Sequence, residues 1–236
     1  RNTYVNGRSK SGESLKTAVD VVPYPVRKFE PADLALELEH DFNFLVMAQV
    51  SPRKNVENTV KWFVEDHFNI EAGLILKLNM AKNCTLDYRM MTNVLRNTLH
   101  EYKGRKCSVH LLHGYLTEQE KAALYTNPKI RGLISLSHGE GFSLPIYEAA
   151  YYGMPVIAPE YSGYTDFMCL PSKKDGKMKS AMARVDYTLR PLEKHEVWDG
   201  VLDKGSMWCH PDRNSFRLRC REVREEYGRF KSTANK

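Results

Sequence analysis

Apolar positions along this chain alternate between two rhythms. Five short runs, 42–48, 73–78, 109–112, 132–136 and 155–158, are almost continuously apolar and bounded by polar or turn-forming residues, the pattern of strands buried on both faces. Between the first two, Val56, Val60, Phe63, Val64 and Phe68 recur at helical spacing, and between the next two, Tyr88, Met91, Leu95, Leu99 and Tyr102 do the same. Thr117 and Glu120 form the sequence of a capping box that opens a third helix. A fourth is expected between 136 and 155, with Pro145 in its first turn and Gly153 at its C-terminal cap. Strands alternating with helices in this way predict a doubly wound, Rossmann-like α/β fold with a parallel sheet. Such sheets bind ligands beyond the carboxyl ends of their strands, which directs attention to the loops 49–55, 79–87, 113–116 and 137–144.

The two ends of the chain differ from this middle. Residues 1–22 are polar and read as a lead-in and linker, the Rossmann-like domain is expected over 23–212, and 213–236 carries Phe216, Cys220, Val223, Tyr227 and Phe230 at steps of four, three, four and three. That stripe predicts one amphipathic terminal helix that docks on the domain. Its other faces hold Arg217, Arg219, Arg221, Arg224 and Arg229, and this end contributes five of the six net positive charges of the chain: eight Lys and Arg against three acids. A solvated basic face is the expectation there, without nucleic-acid contact, because no stacking aromatics interleave with the arginines. With 236 residues, 42% of them hydrophobic, the chain is long and apolar enough to bury a core. No apolar run approaches the roughly 20 residues of a membrane-spanning helix. The five cysteines, 84, 107, 169, 209 and 220, contain no C-x-x-C pair, which argues against a disulfide framework or zinc ribbon and suggests a reducing, cytoplasmic setting.

The chemically richest loop is 137–144. Gly139 and Gly141 allow backbone to pass close to a ligand, and the helix expected after them aims its free N–H groups and positive dipole end at the same place, which makes an anion site. Glu140 lies in the loop and Glu148 in the helix behind it; read alone, Glu148 merely complements the helix dipole.

These two glutamates, with seven residues between them in H-G-E-G-F-S-L-P-I-Y-E-A and followed by Y-G-M-P-V-I-A, resemble the E-x7-E signature of retaining glycosyltransferases with the GT-B fold, in particular the C-terminal, nucleotide-sugar-binding half of family 4-like members. The resemblance extends over 21–227, with 22–26 similar to the family's inter-domain linker and Trp208-x-x-Pro211-Asp212 to its closing turn. It implies that Glu148 holds the ribose hydroxyls, that the backbone around Gly141, Phe142, Ser143 and Leu144 holds diphosphate and sugar, and that Glu140 lies against the donor sugar as a catalytic group. The loop Ala48-Gln49-Val50-Ser51-Pro52-Arg53-Lys54-Asn55 resembles the family's diphosphate clamp. Lys54 matches its catalytic lysine, whereas Gln49 stands where an arginine is expected, leaving Arg53 as the second cation. The segment 113–117 resembles the loop that meets the nucleobase, which makes Tyr115 and Leu116 donor-binding candidates, with Tyr115 either stacking on a base or packing on the sheet edge. Lys77 and Asn79 end the 73–78 strand and face the same cleft by sheet topology.

The resemblance thus implies transfer of a sugar from a nucleotide-diphosphate donor, with retention, to an acceptor held by a separate N-terminal GT-B domain. The chain begins at Arg1 with only the lead-in before the linker, so it is expected to be the donor half of a longer protein. No metal or other cofactor is expected: there is no D-x-D, and His110, His113 and His138 are not at ligand spacing. Two rivals remain at this stage: a non-catalytic nucleotide-sugar-binding module, motivated by Gln49, and a nucleic-acid-binding protein, motivated by the basic terminal segment.

Overall fold

A computed structural model describes residues 4–5, 8–9, 24–25, 27–172, 175–194, 196–198, 202 and 204–234. Most of the 1–22 lead-in and positions 22, 23 and 26 of the linker match lie outside the described residues. Within the lead-in, Tyr4–Val5 pairs antiparallel with Arg8–Ser9.

Six parallel strands form the central sheet: β1 (Asn43–Gln49), β2 (Gly73–Asn79), β3 (Ser108–His113), β4 (Ile130–Ile134), β5 (Val156–Pro159) and β6 (Ala183–Val185). Their spatial order is β6-β5-β4-β1-β2-β3, so the chain winds outward in one direction from β1 to β3 and in the other from β4 to β6. The winding reverses between β1 and β4, the point at which doubly wound sheets open a crevice for ligands. A close backbone approach fixes the start of β2. A Cβ on Gly73 would stand 1.9 Å from Asn43 Oδ1, in a corner where the Asn43 amide donates to the carbonyls of His40 (2.7 Å) and Lys129 (3.0 Å).

Alternate residues of each strand enter two separate cores. Phe44, Val46, Leu74 and Leu76 pack with Val60, Phe63 and Val64 of α1 (Val56–Asp66), Met91 of α2 (Thr85–His100) and Phe216, Cys220 and Val223 of α6 (Arg213–Glu225). Leu45 and Ile75 pack on the other face with Leu124 and Tyr125 of α3 (Glu118–Thr126) and Ile146 and Ala149 of α4 (Leu144–Tyr151). The expected capping box opens α3: Thr117 Oγ1 accepts from Glu120 N–H, and the Glu120 carboxylate accepts from Thr117 N–H at 2.7 Å. Pro145 and Gly153 (φ 66°) frame α4 as the sequence predicts.

Two expectations need correction. The terminal segment 213–236 is not one helix: α6 ends at Glu226 (φ −115°, ψ 35°), and α7 (Tyr227–Ala234) follows. The apolar stripe runs on across the break, so spacing alone does not reveal it; Gly228, a poor helix former, lies just beyond. The 208–212 segment is not a turn but the end of an antiparallel pair, β7 (Tyr187–Pro191) with β8 (Met207–Pro211), after which Asp212 caps α6 by accepting from Ser215 N–H at 2.7 Å. The arginines of this end meet acids: Arg213 with Glu65 (2.9 Å), Arg219 with Glu222 (2.7 Å), Arg229 with Glu226 (2.7 Å). Among the described residues no helix is long and apolar enough to cross a membrane.

Candidate functional site

The loops after β1 and β4 meet at the point where the winding reverses. After β1, a single 3-10 turn at Pro52–Lys54 ends at Asn55, which takes a left-handed conformation (φ 52°), one that asparagine tolerates better than most residues. The buried Asn55 side chain donates to Leu136 O at 3.2 Å, and His138 N–H donates to Arg53 O at 2.8 Å, so the two loops are stitched together. Between them Lys54 Nζ lies 2.5 Å from Glu140 Oε1 and Arg53 Nη1 lies 2.9 Å from Glu140 Oε2; Arg53 also donates to Gly139 O. The Glu140 side chain is 7% exposed. Burial pushes its carboxyl pKa up, but hydrogen bonding and charge from Lys54, with hydrogen bonds from Arg53 and Ser137, outweigh burial and hold it below the usual carboxylate value.

Two cations against one carboxylate leave a single positive charge, to which the N-terminus of α4 adds roughly half a charge. Ser143, at that N-terminus, is left-handed (φ 70°, ψ 77°), and its side chain does not cap the helix. The loop is braced from behind. Glu140 N–H donates to Ser162 Oγ at 2.9 Å, and Gly163 N–H donates to Glu140 O at 3.1 Å. A Cβ on Gly163 would stand 1.8 Å from Gly141 O, so only glycine permits this approach. On the other side His138 stacks on Trp208 (5.0 Å between centroids, 7° between planes), its Nδ1 lies 2.6 Å from Cys209 O, and Cys209 N–H donates to His138 O.

Glu148 occupies a second centre. Tyr125 donates to Glu148 Oε2 at 2.8 Å, and Lys121 Nζ lies 3.1 Å from Glu148 Oε1 and 2.8 Å from Glu118. These side chains line a cavity of about 340 Å³ between α3 and α4, closed by Tyr24, Pro25, Arg27 and Phe29. Tyr24 also packs against Phe142 with its ring tilted (5.2 Å between centroids), and Phe142 packs in turn on Tyr147 and Phe167.

The structure therefore brings Arg53, Lys54 and Glu140 into one cluster with Gly141, Phe142, Ser143 and Leu144 around the start of α4, and sets Glu148 in a cavity alongside. Gln49 is exposed at the end of β1. Tyr115 is 84% exposed, which excludes packing on the sheet edge, while Leu116 packs into the core beneath α3 and α4. Sequence reasoning did not find Lys121, Tyr125, Ser162 or Gly163. The spacing of four between Lys121 and Tyr125 places them on one face of α3 and was a usable signal; the approach of 162–163 to 140–141 left none. Among the described residues no three His, Cys, Asp or Glu side chains gather as a metal site.

Comparison with known proteins gives the fold a place. No protein-family model matches the chain, and no curated protein matches it. Among solved structures it is similar to sucrose-phosphate synthase from Thermosynechococcus elongatus (TM-score 0.56, 16% identity, covering 87% of this chain and 43% of that one). It also matches the catalytic domain of starch synthase IV from Arabidopsis thaliana bound to ADP and acarbose (TM-score 0.48, 13% identity, 83% of this chain and 34% of that one). A third is the C-terminal domain of the glycosyl transferase group 1 family protein LpcC from Francisella tularensis (TM-score 0.43, 14% identity, 56% and 68%). The first of these bears on the fold, which is a Rossmann-like half of the GT-B type, and this chain spans less than half the length of that protein.

Proposed function

We propose that the chain is the donor-binding half of a retaining glycosyltransferase and binds a nucleotide-diphosphate sugar across the reversal point of its sheet. The observation that carries this reading is the meeting of Lys54 and Arg53 with Glu140, from loops on either side of that point, at the mouth of α4. The diphosphate lies against Lys54, Arg53 and the N–H groups of Phe142, Ser143 and Leu144, and the ribose reaches Glu148 in the neighbouring cavity. As the bond from the anomeric carbon to the β-phosphate oxygen breaks, charge grows on the leaving diphosphate, where the cations and the helix end stabilise it. Glu140, freed from the cations by the phosphate, faces the sugar.

This charge complement makes a divalent metal unnecessary, and acceptor binding falls to a second GT-B domain. The test is calorimetry of this chain with UDP, GDP, ADP and dTDP in the presence of EDTA. At least one nucleotide should bind, and a ligand at 100 times its dissociation constant should stabilise the fold by about 2.7 kcal/mol. Binding that disappears on chelation, or no binding of any of the four, contradicts the reading. Without an acceptor domain to hold a hydroxyl about 3–3.5 Å from the anomeric carbon, the chain should give no more than slow donor hydrolysis.

A further inference from the structure

Lys77 is a buried lysine for which the described residues provide no hydrogen-bonding or ion-pairing partner. It is 8% exposed, near the carboxyl end of β2, and the alternation of the strand puts it on the face of Ile75, toward α3 and α4. In the parallel register it lies between Met47 of β1 and Leu112 of β3. Met47 Sδ accepts from the Tyr125 hydroxyl that also holds Glu148, so Lys77 underlies the Glu148 centre. Burial lowers its pKa, and the nearby Lys121 cation lowers it further. The ammonium at the end of this buried stem keeps contact with solvent and is open to an anion. No other lysine of the sheet shares this setting: β2 is otherwise apolar up to Asn79.

We propose that Lys77 is a donor-binding residue that holds the nucleoside-proximal phosphate of the nucleotide. The inference rests on the donor-binding reading above and extends it. β2 stands between β1, whose following loop carries Lys54 and Arg53, and β3, whose following loop resembles the one that meets the nucleobase; on the reading above, the outer phosphate and sugar lie at the first and the base at the second. A cation beneath the middle of that path meets the α-phosphate before it meets the β-phosphate.

The test compares the wild-type chain with Lys77→Met, a swap of similar volume without charge. Of UDP, GDP, ADP and dTDP, the tightest binder is taken forward with its monophosphate and nucleoside. The variant should bind both the diphosphate and the monophosphate roughly 10- to 100-fold more weakly, the range for a lost hydrogen bond to a charged group, and the nucleoside as well as wild type does. Its melting temperature without ligand should stay within a few degrees of that of wild type, because methionine fills the place of the buried lysine stem. Lys54→Ala should instead weaken the diphosphate more than the monophosphate. A variant that binds the monophosphate as wild type does overturns the inference while leaving the donor-binding reading intact. A melting temperature lowered by much more than a few degrees overturns it by showing that Lys77 supports the fold, and failure of wild type to bind any of the four diphosphates removes the reading and the inference together.

Discussion

The two glutamates of the E-x7-E segment are held in opposite ways. Glu140 reaches across the reversal point of the sheet and is gripped by two cations from a loop more than 80 positions earlier in the chain; its side chain is 7% exposed. Glu148 stays on its own face of the sheet, 23% exposed, held by one lysine and one tyrosine of the adjacent helix beside a cavity. A carboxylate that links two strand-to-helix loops ties them together, here through Lys54 and Arg53. One that is fixed by a neighbouring helix shapes a pocket that is ready before the ligand comes. On the donor-binding reading proposed above, the first is the group for reaction and the second the group for nucleoside recognition.

The largest effect should come from breaking the Glu140 side of this contrast. In a protein that pairs this chain with the acceptor-binding domain proposed above, Glu140→Gln should reduce kcat roughly 100- to 1,000-fold, the scale for loss of one preorganised electrostatic group, while nucleoside diphosphate binding holds or tightens because Lys54 and Arg53 are released. Steady-state kinetics beside calorimetry separates the two effects. Lys54→Ala should weaken diphosphate binding by about 1.5–3 kcal/mol with the fold intact. An unchanged dissociation constant would place the lysine outside the site. Glu148→Gln should cost about 1 kcal/mol in binding of nucleotide and nucleoside alike, without a selective loss of turnover per bound donor. If instead Glu148→Gln abolished turnover and Glu140→Gln abolished binding, the two roles would be exchanged.

The smallest expected effect concerns pH. The Glu140 pKa is depressed in the folded chain, so its ion pairs contribute stability that is fully present above the ordinary value of 4.5 and is lost as pH falls through the lower folded value. Thermal melts of wild type and Glu140→Gln should therefore differ at neutral pH and converge as pH drops below about 4.5. Curves that run parallel throughout would mean that the cluster adds nothing to the folded state.

Much of this molecule was legible in its sequence. Five of the six sheet strands stand where nearly continuous apolar runs predicted them, because strands covered on both faces are apolar at most positions, Lys77 of β2 being an exception. The capping box and the Pro145 and Gly153 boundaries of α4 were local chemistry and read directly. The sixth strand, Ala183–Val185, and the β7–β8 pair were not, since a three-residue strand and a half-exposed hairpin present no apolar run long enough to recognise. At the site, the residue types and loops were visible, and their pairing was not. Nothing in the spacing says that Lys54 meets Glu140 rather than solvent, or that Gly163 must approach Gly141; both follow from the strand order, which brings β1 beside β4. Lys77 illustrates the same limit, because its position on β2 was plain and its lack of a partner emerged only in three dimensions.

The most direct test of the central claim is a crystal structure of this chain with the tightest-binding nucleoside diphosphate. The account predicts the diphosphate between Lys54 and the first N–H groups of α4, with Glu140 released from at least one of its cations and the ribose hydroxyls within hydrogen-bonding distance of Glu148. A nucleotide bound elsewhere, with the Lys54–Glu140–Arg53 cluster undisturbed, would contradict it.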